Sequence, residues 1–369
     1  MLCSFRDLGQ ALIVLACVAC SAVAADRAGL NQRGAPALKS AGPLAFGPEG
    51  VLFVGDPRGA SLYAIGIEPA ESRSSAETVR FDGVNVQLAA LVGINADELL
   101  INSVAVQPNS TVVYLSASRG RGPDAEPVLA KISPAGKLTL LDLDNVAYSK
   151  VDLNNAPDLD AVDRRGNKLR QESITDLHYV DGRVFVAGLS NEEFASKLRA
   201  IAFPFTSADQ ITSVEIFHGA HGQFETRSPV RTFVPYTVHG EPHLLAAYTC
   251  TPLVAFPVSQ LKAGSKLRGT TLAELGNHNR PLDIIAYQKD GHAFLLMANS
   301  ARGVMKIAAD RIDSQAGIEH PVKGTDGLSY DTIDGLKGVE HLDKLDDAHA
   351  LLLVRNEAGA LNLETVALP

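Results

Sequence analysis

The chain has 369 residues, 46% hydrophobic and 20% charged, with 31 Gly and 19 Pro. That composition is too apolar for a disordered chain and too punctuated by Gly and Pro for a helical bundle. With 33 Lys+Arg against 42 Asp+Glu, a net charge of −9, it lacks the basic surface that a general nucleic-acid binder uses to displace phosphate counterions.

Residues 1–25 read as a signal peptide. Arg6 gives a weakly basic start, Leu8 to Cys20 is an apolar run, and Ala22-Val23-Ala24-Ala25 offers a small-residue cleavage site. Export to the periplasm or outside the cell is the expectation. No later stretch reaches the ~18 apolar residues of a membrane-spanning helix, so no integral membrane segment is expected. Cys3, Cys17 and Cys20 lie in the signal. Cys250 alone remains after processing, which leaves no intrachain disulfide to form. Residues 26–35 read as a linker and 36–369 as a single domain.

From residue 44 onward one hairpin recurs: an apolar strand, a tight turn, a continuous apolar strand, a polar loop and a third apolar strand. The first copy runs Leu44 to Gly50, Val51 to Val54, then Asp56-Pro57-Arg58 and Leu62 to Ile65. The second runs Val104 to Ser110, Thr111 to Leu115, and Ala130 to Ile132 after a longer loop. The third runs Asp176 to Gly182, Val184 to Ala187, Ser190-Asn191, and Leu198 to Ile201. Later copies turn near Gly240, Gly291 and Asp347. Successive turns at 50, 110, 182, 240, 291 and 347 lie 51 to 72 residues apart. Each unit has room for a fourth strand, as at Lys137 to Leu143, Ser213 to Phe217 and Leu272 to Leu275. Six such units predict an all-β protein, a β-propeller of six four-stranded blades. With blades following one another in chain order, the ring is expected to close where Ala37 to Ser40 joins Leu361 to Val366. A closed ring of this kind is expected to be a monomer.

The segment Gly47-Pro48-Glu49-Gly50-Val51-Leu52-Phe53-Val54-Gly55-Asp56 resembles the hairpin of the NHL, gluconolactonase/regucalcin and strictosidine-synthase-like propellers. For the gluconolactonase type, the resemblance implies a divalent metal held by a Glu on the first inner strand with two Asn and an Asp deeper in. Here Ala41-Gly42-Pro43 stands where that Glu belongs. Quinoprotein propellers are less similar, since their Trp docking motif needs a residue this chain lacks.

Propeller geometry places the loops. If each inner strand runs down from the top face, the loops between second and third strands share that face with the links into the next inner strand. Such mouths are common ligand sites. Arg227, Arg280 and Arg302 fall in these loops, with His221, Glu225, Asn279 and Asn299 as neighbouring hydrogen-bonding groups. Guanidinium forks suit carboxylate or phosphate. The expectation is a scaffold for a small anionic ligand or a protein partner, without a cofactor; the alternative is a metal-dependent hydrolase or lactonase.

Two further patterns carry metal-ligand residue types. His218-Gly219-Ala220-His221 followed by Glu225 carries zinc-ligand residue types, but its glycines argue against the helix that usually sets their spacing. Asp152, Asn154, Asp158, Asp160 and Asp163 offer oxygen ligands to calcium without the EF-hand spacing. Neither reading assigns a metal.

Overall fold

The structure, a computed structural model, describes residues 29–70, 78–208, 210–250 and 252–369. The signal assignment on residues 1–25 lies outside the described residues.

The hairpins form because their turns can. Three inner turns join their strands through two residues, both at positive φ: Asp181-Gly182, His239-Gly240 and Asp290-Gly291. This is the two-residue turn whose twist matches that of antiparallel strands, and Gly supplies its second position without a steric penalty. The apolar runs that follow are buried on both faces. In Val51–Asp56, for example, Leu52 and Val54 pack toward one neighbouring blade, while Val51 and Phe53 pack toward the other.

Six sheets of four strands or more result, antiparallel except where Lys266–Arg268 joins Ile211–His218 of blade 3 in parallel, written here from the innermost strand outward. Blade 1 is Leu44–Phe46, Val51–Asp56, Ser61–Gly66 and Val146–Asp152, with Gln32–Gly34 on its outer edge. Blade 2 is Leu99–Val106, Val113–Arg119, Glu126–Ile132 and Leu138–Leu140. Blade 3 is Asp176–Val180, Arg183–Leu189, Ser196–Ala202 and Ile211–His218, extended by Gln223–Glu225. Blade 4 is Val230–Val238, Glu241–Tyr248, Pro252–Pro257 and Thr270–Leu275, with Thr325–Gly327 outside it. Blade 5 is Pro281–Lys289, His292–Asn299, Gly303–Ala308 and Tyr330–Thr332. Blade 6 is Val339–Lys344, His349–Arg355, Leu361–Ala367 and Arg80–Phe81.

The order of blades around the ring is not their order along the chain. Blade 2 packs between blades 1 and 6, sharing Tyr114 and Leu129 with the first and Val113 and Leu115 with the last. Blade 1 meets blade 3 through Phe53, Leu62, Val184 and Val186. The ring therefore reads 1–3–4–5–6–2. After three strands of blade 1 the chain crosses to the edge of blade 6, builds blade 2, and only then returns to finish blade 1 with Val146–Asp152.

This corrects the expected closure. Arg80–Phe81, not residues 37–40, pairs with blade 6, opposite Glu364 and Leu363. Gln32–Gly34 pairs instead with Val146–Tyr148. A helix that hydrophobic periodicity does not announce, Val84–Val92, follows the closing strand and buries Val84 and Leu88 between blades 2 and 6.

Candidate functional site

The inner strands build the channel mouth, and they repeat one device. A β-bulge interrupts pairing between Ile101 and Ser103, Val230 and Thr232, Pro281 and Asp283, and Val339 and His341. A bulge inserts one unpaired residue and re-aims its side chain. The inserted residues are Asn102, Arg231, Leu282 and Glu340, and all four line one cleft at the mouth.

Just below the bulges, side chains fasten neighbouring inner strands together at four junctions of the ring. Phe233 N–H donates to Asp176 at 2.8 Å, Leu342 N–H to Asp283 at 3.3 Å, Val106 N–H to Asp343 at 2.7 Å, and Leu44 N–H to Ser103 at 3.2 Å. These carboxylates crowd one channel. Burial, then the charge of Asp283, pushes Asp176 up to about 8 despite its hydrogen bonds from Phe233, Thr232 and Leu177. Burial likewise pushes Asp343 up to about 7, against the hydrogen bond from Val106 and with added repulsion from Asp283.

Two clefts open at the mouth, of about 1270 Å³ and 850 Å³. Links into inner strands and loops between second and third strands line both, as the sequence-level placement of loops expects. The clefts meet at Leu100, Asn102, Thr175 and Arg280. Ten Lys and Arg line them against four Asp and Glu, so the mouth is cationic on a chain whose acids outnumber its bases.

Arg280 stands at the seam. Its backbone N–H donates to Ser300 Oγ at 2.9 Å. Among the described residues its guanidinium has no hydrogen-bond or ion-pair partner. Burial, and then the neighbouring charge of Arg231, lowers its pKa, against the pull of Glu172. Arg231 itself is held by Glu172 Oε2 at 2.6 Å and by Thr249 Oγ1 at 3.1 Å.

The seven residues singled out from sequence separate into two places. Arg280, Arg302 and Asn299 line the larger cleft. Asn279 lies beneath it, its Oδ1 accepting from Asn299 Nδ2 at 3.0 Å. Arg302 spends part of its fork on backbone carbonyls, Leu275 at 2.9 Å and Asn277 at 3.1 Å. His221, Glu225 and Arg227 do not line either cleft. They sit in the link between blades 3 and 4, where Arg227 Nε donates to the Glu193 carbonyl at 3.4 Å. Sequence reading missed Arg231 because only the bulge, which no local residue pattern marks, turns it to the mouth. The acidic run 152–163 does not converge. Asp152 bonds Ser61 and Asp163 closes its own turn through Arg165 and Asn167.

Six sheets of at least four strands around one channel, entered through a cationic mouth, make the protein a six-bladed β-propeller. No family model matches the chain, and no curated protein matches it. Among solved structures, a chain of the "Crystal Structure of Mitotic Checkpoint Complex" aligns over 100% of both chains at 9% identity, with a TM-score of 0.39. The "Plexin A4 full extracellular region" aligns over 92% of this chain and 47% of its own, at 10% identity and a TM-score of 0.41. Likenesses this distant carry no argument about function, and the fold rests on the six sheets themselves. Among the described residues no helix is long and apolar enough to cross a membrane.

Proposed function

We propose that this chain is an exported binding scaffold that holds an extended anionic ligand, an acidic polypeptide segment, across its channel mouth. Arg280 carries the reading: a charged fork with no side-chain partner, at the seam of two cationic clefts. An incoming carboxylate would relieve both its desolvation and its repulsion from Arg231. The size of the clefts favours an extended ligand, since sites for single small molecules run to ~300–1,000 Å³. Export rests on the signal-like residues 1–25. A lactonase of the gluconolactonase type is less well supported, because Ala41-Gly42-Pro43 offers no carboxylate at the first inner strand.

Titration calorimetry with glutamate oligomers of increasing length tests this. Affinity should rise with length and fall with salt, because exposed charge pairs are screened. Arg280→Ala should weaken binding about ten- to a hundredfold, the loss of one charge-assisted contact. Equal binding by wild type and Arg280→Ala, or binding of citrate but of no oligomer, would overturn the proposal.

A further inference from the structure

The zinc-like residues that the mouth does not use come together at the outer edge of blade 3. The link after Ile211–His218 is a tight turn, with Gly222 N–H donating to the His218 carbonyl at 2.8 Å and Gly222 itself at φ +65°. The chain then folds back on its own strand, so that Glu225 pairs with Ile216 and Gln223 with His218. No helix is needed: the turn sets the two imidazoles 3.9 Å apart with their planes tilted by 40°, and the returning strand brings the carboxylate to both. His218 Nδ1 lies 3.0 Å from Glu225 Oε2, and His221 Nδ1 lies 2.5 Å from Glu225 Oε1. One donor atom from each of the three falls within 4.8 Å of the others.

Two buried polar atoms beside this group lack partners. His218 is 2% exposed and its Nε2 has no hydrogen-bond partner. Glu274, from the outer strand of blade 4, is 0% exposed. Its Oε1 accepts from Gly219 N–H, while Oε2 has no hydrogen-bond partner. A second buried carboxyl thus lies beside a two-histidine, one-carboxylate group whose Glu225 also accepts from Ser228 Oγ at 2.5 Å, and one buried ring nitrogen and one buried carboxyl oxygen are left unsatisfied there.

We propose that His218, His221 and Glu225 bind one divalent transition-metal ion of the zinc class, with Glu274 as the buried carboxyl behind the ligands. A tetrahedral ion ~2.1 Å from each donor sets the donors ~3.4 Å apart, a small outward adjustment of the two histidine–carboxylate separations and within the 4.8 Å that holds all three donors. Imidazole with carboxylate suits zinc, whereas calcium and magnesium prefer all-oxygen shells. His221 is half exposed, so the fourth position faces solvent and takes water or an outside ligand. The site is independent of Arg280 and of what the mouth binds.

Equilibrium dialysis of the purified protein against Zn²⁺, with metal analysis of the retained fraction, tests the assignment. One zinc per chain is expected, with a thermal midpoint that rises on zinc addition and not on calcium addition. His221→Ala, at a half-exposed position that the fold does not depend on, should weaken zinc binding at least tenfold and abolish the thermal shift. Glu225→Gln should do the same, while His320→Ala, at an exposed His–Asp pair elsewhere, should change neither. Absence of zinc uptake, or uptake untouched by His221→Ala, would overturn the site and assign any residual binding to scattered surface histidines.

Discussion

Arg199→Met is expected to stabilise the protein by about 2–4 kcal/mol, read as a higher urea midpoint at unchanged slope. Arg199 lies on the third strand of blade 3, on the same side as Lys197 and Ile201; Ile201 packs in the core shared with blade 1. Its residue is 0% exposed, and Nε and both terminal nitrogens have no hydrogen-bond partner. Burial pulls its pKa down to about 10, offset in part by the charge of Glu192. Glu192 is already engaged by Lys197 and, at 2.7 Å, by Asn155. A guanidinium without partners in an apolar interface costs several kcal/mol, and methionine of similar length fills the same space without that cost. Arg199→Lys, which keeps the charge, should bring no such gain. A destabilised Arg199→Met would show that the charge is needed for the fold.

The second large effect is a dependence on pH set by the channel carboxyls. Asp176, lifted from 3.8 to about 8, binds its proton more tightly in the folded chain than in the unfolded one. Stability from this group is therefore complete below pH ~4 and drains away as pH rises to about 8. Asp343, lifted from 3.8 to about 7, acts in the same direction over a narrower window. His178 opposes them on the acid side, since burial lowers its pKa and disfavours its charged form. Between pH 5 and 8 linkage allows Asp176 up to ~4 kcal/mol; water at the partly exposed carboxyl reduces the expected figure to about 2. Asp176→Asn keeps an acceptor for Phe233 N–H and removes the titration. It should match wild type near pH 5 and be the more stable protein at pH 8. Parallel pH–stability curves for the two would refute the account.

The parts of this fold that sequence reveals are those set by neighbouring residues. Asp181-Gly182 and Asp290-Gly291 announce their hairpins because two-residue turns need φ > 0, and the runs after them announce strands buried on both faces. Blade count follows directly. Blade order does not: nothing in Leu62 to Ile65 or Leu138 to Leu140 says which sheet lies beside it, and a two-residue strand at Arg80–Phe81 is too short to carry a pattern. The site divides in the same way. Arg280 is legible because a link residue at the head of an inner strand must lie at the mouth. Arg231 needs a bulge to reach it. The His218–His221–Glu225 group needs a strand that folds back on itself, a pairing visible only once Glu225 is set opposite Ile216.

The threading of the ring also governs when it can be completed. Thr365 bonds Val79 across 286 residues, so the closing strand is synthesised long before its partner. Until Leu361–Ala367 emerges, the helix Val84–Val92 has no blade 6 to cover Val84 and Leu88, and blade 2 stands with one face bare. Contacts so distant in sequence form slowly, because the chain between them must be ordered before they return any free energy. Loss of blade 6 is then not a local injury. It strips cover from residues 79–132, made well before it, and the folding of the whole ring waits on Val339–Ala367.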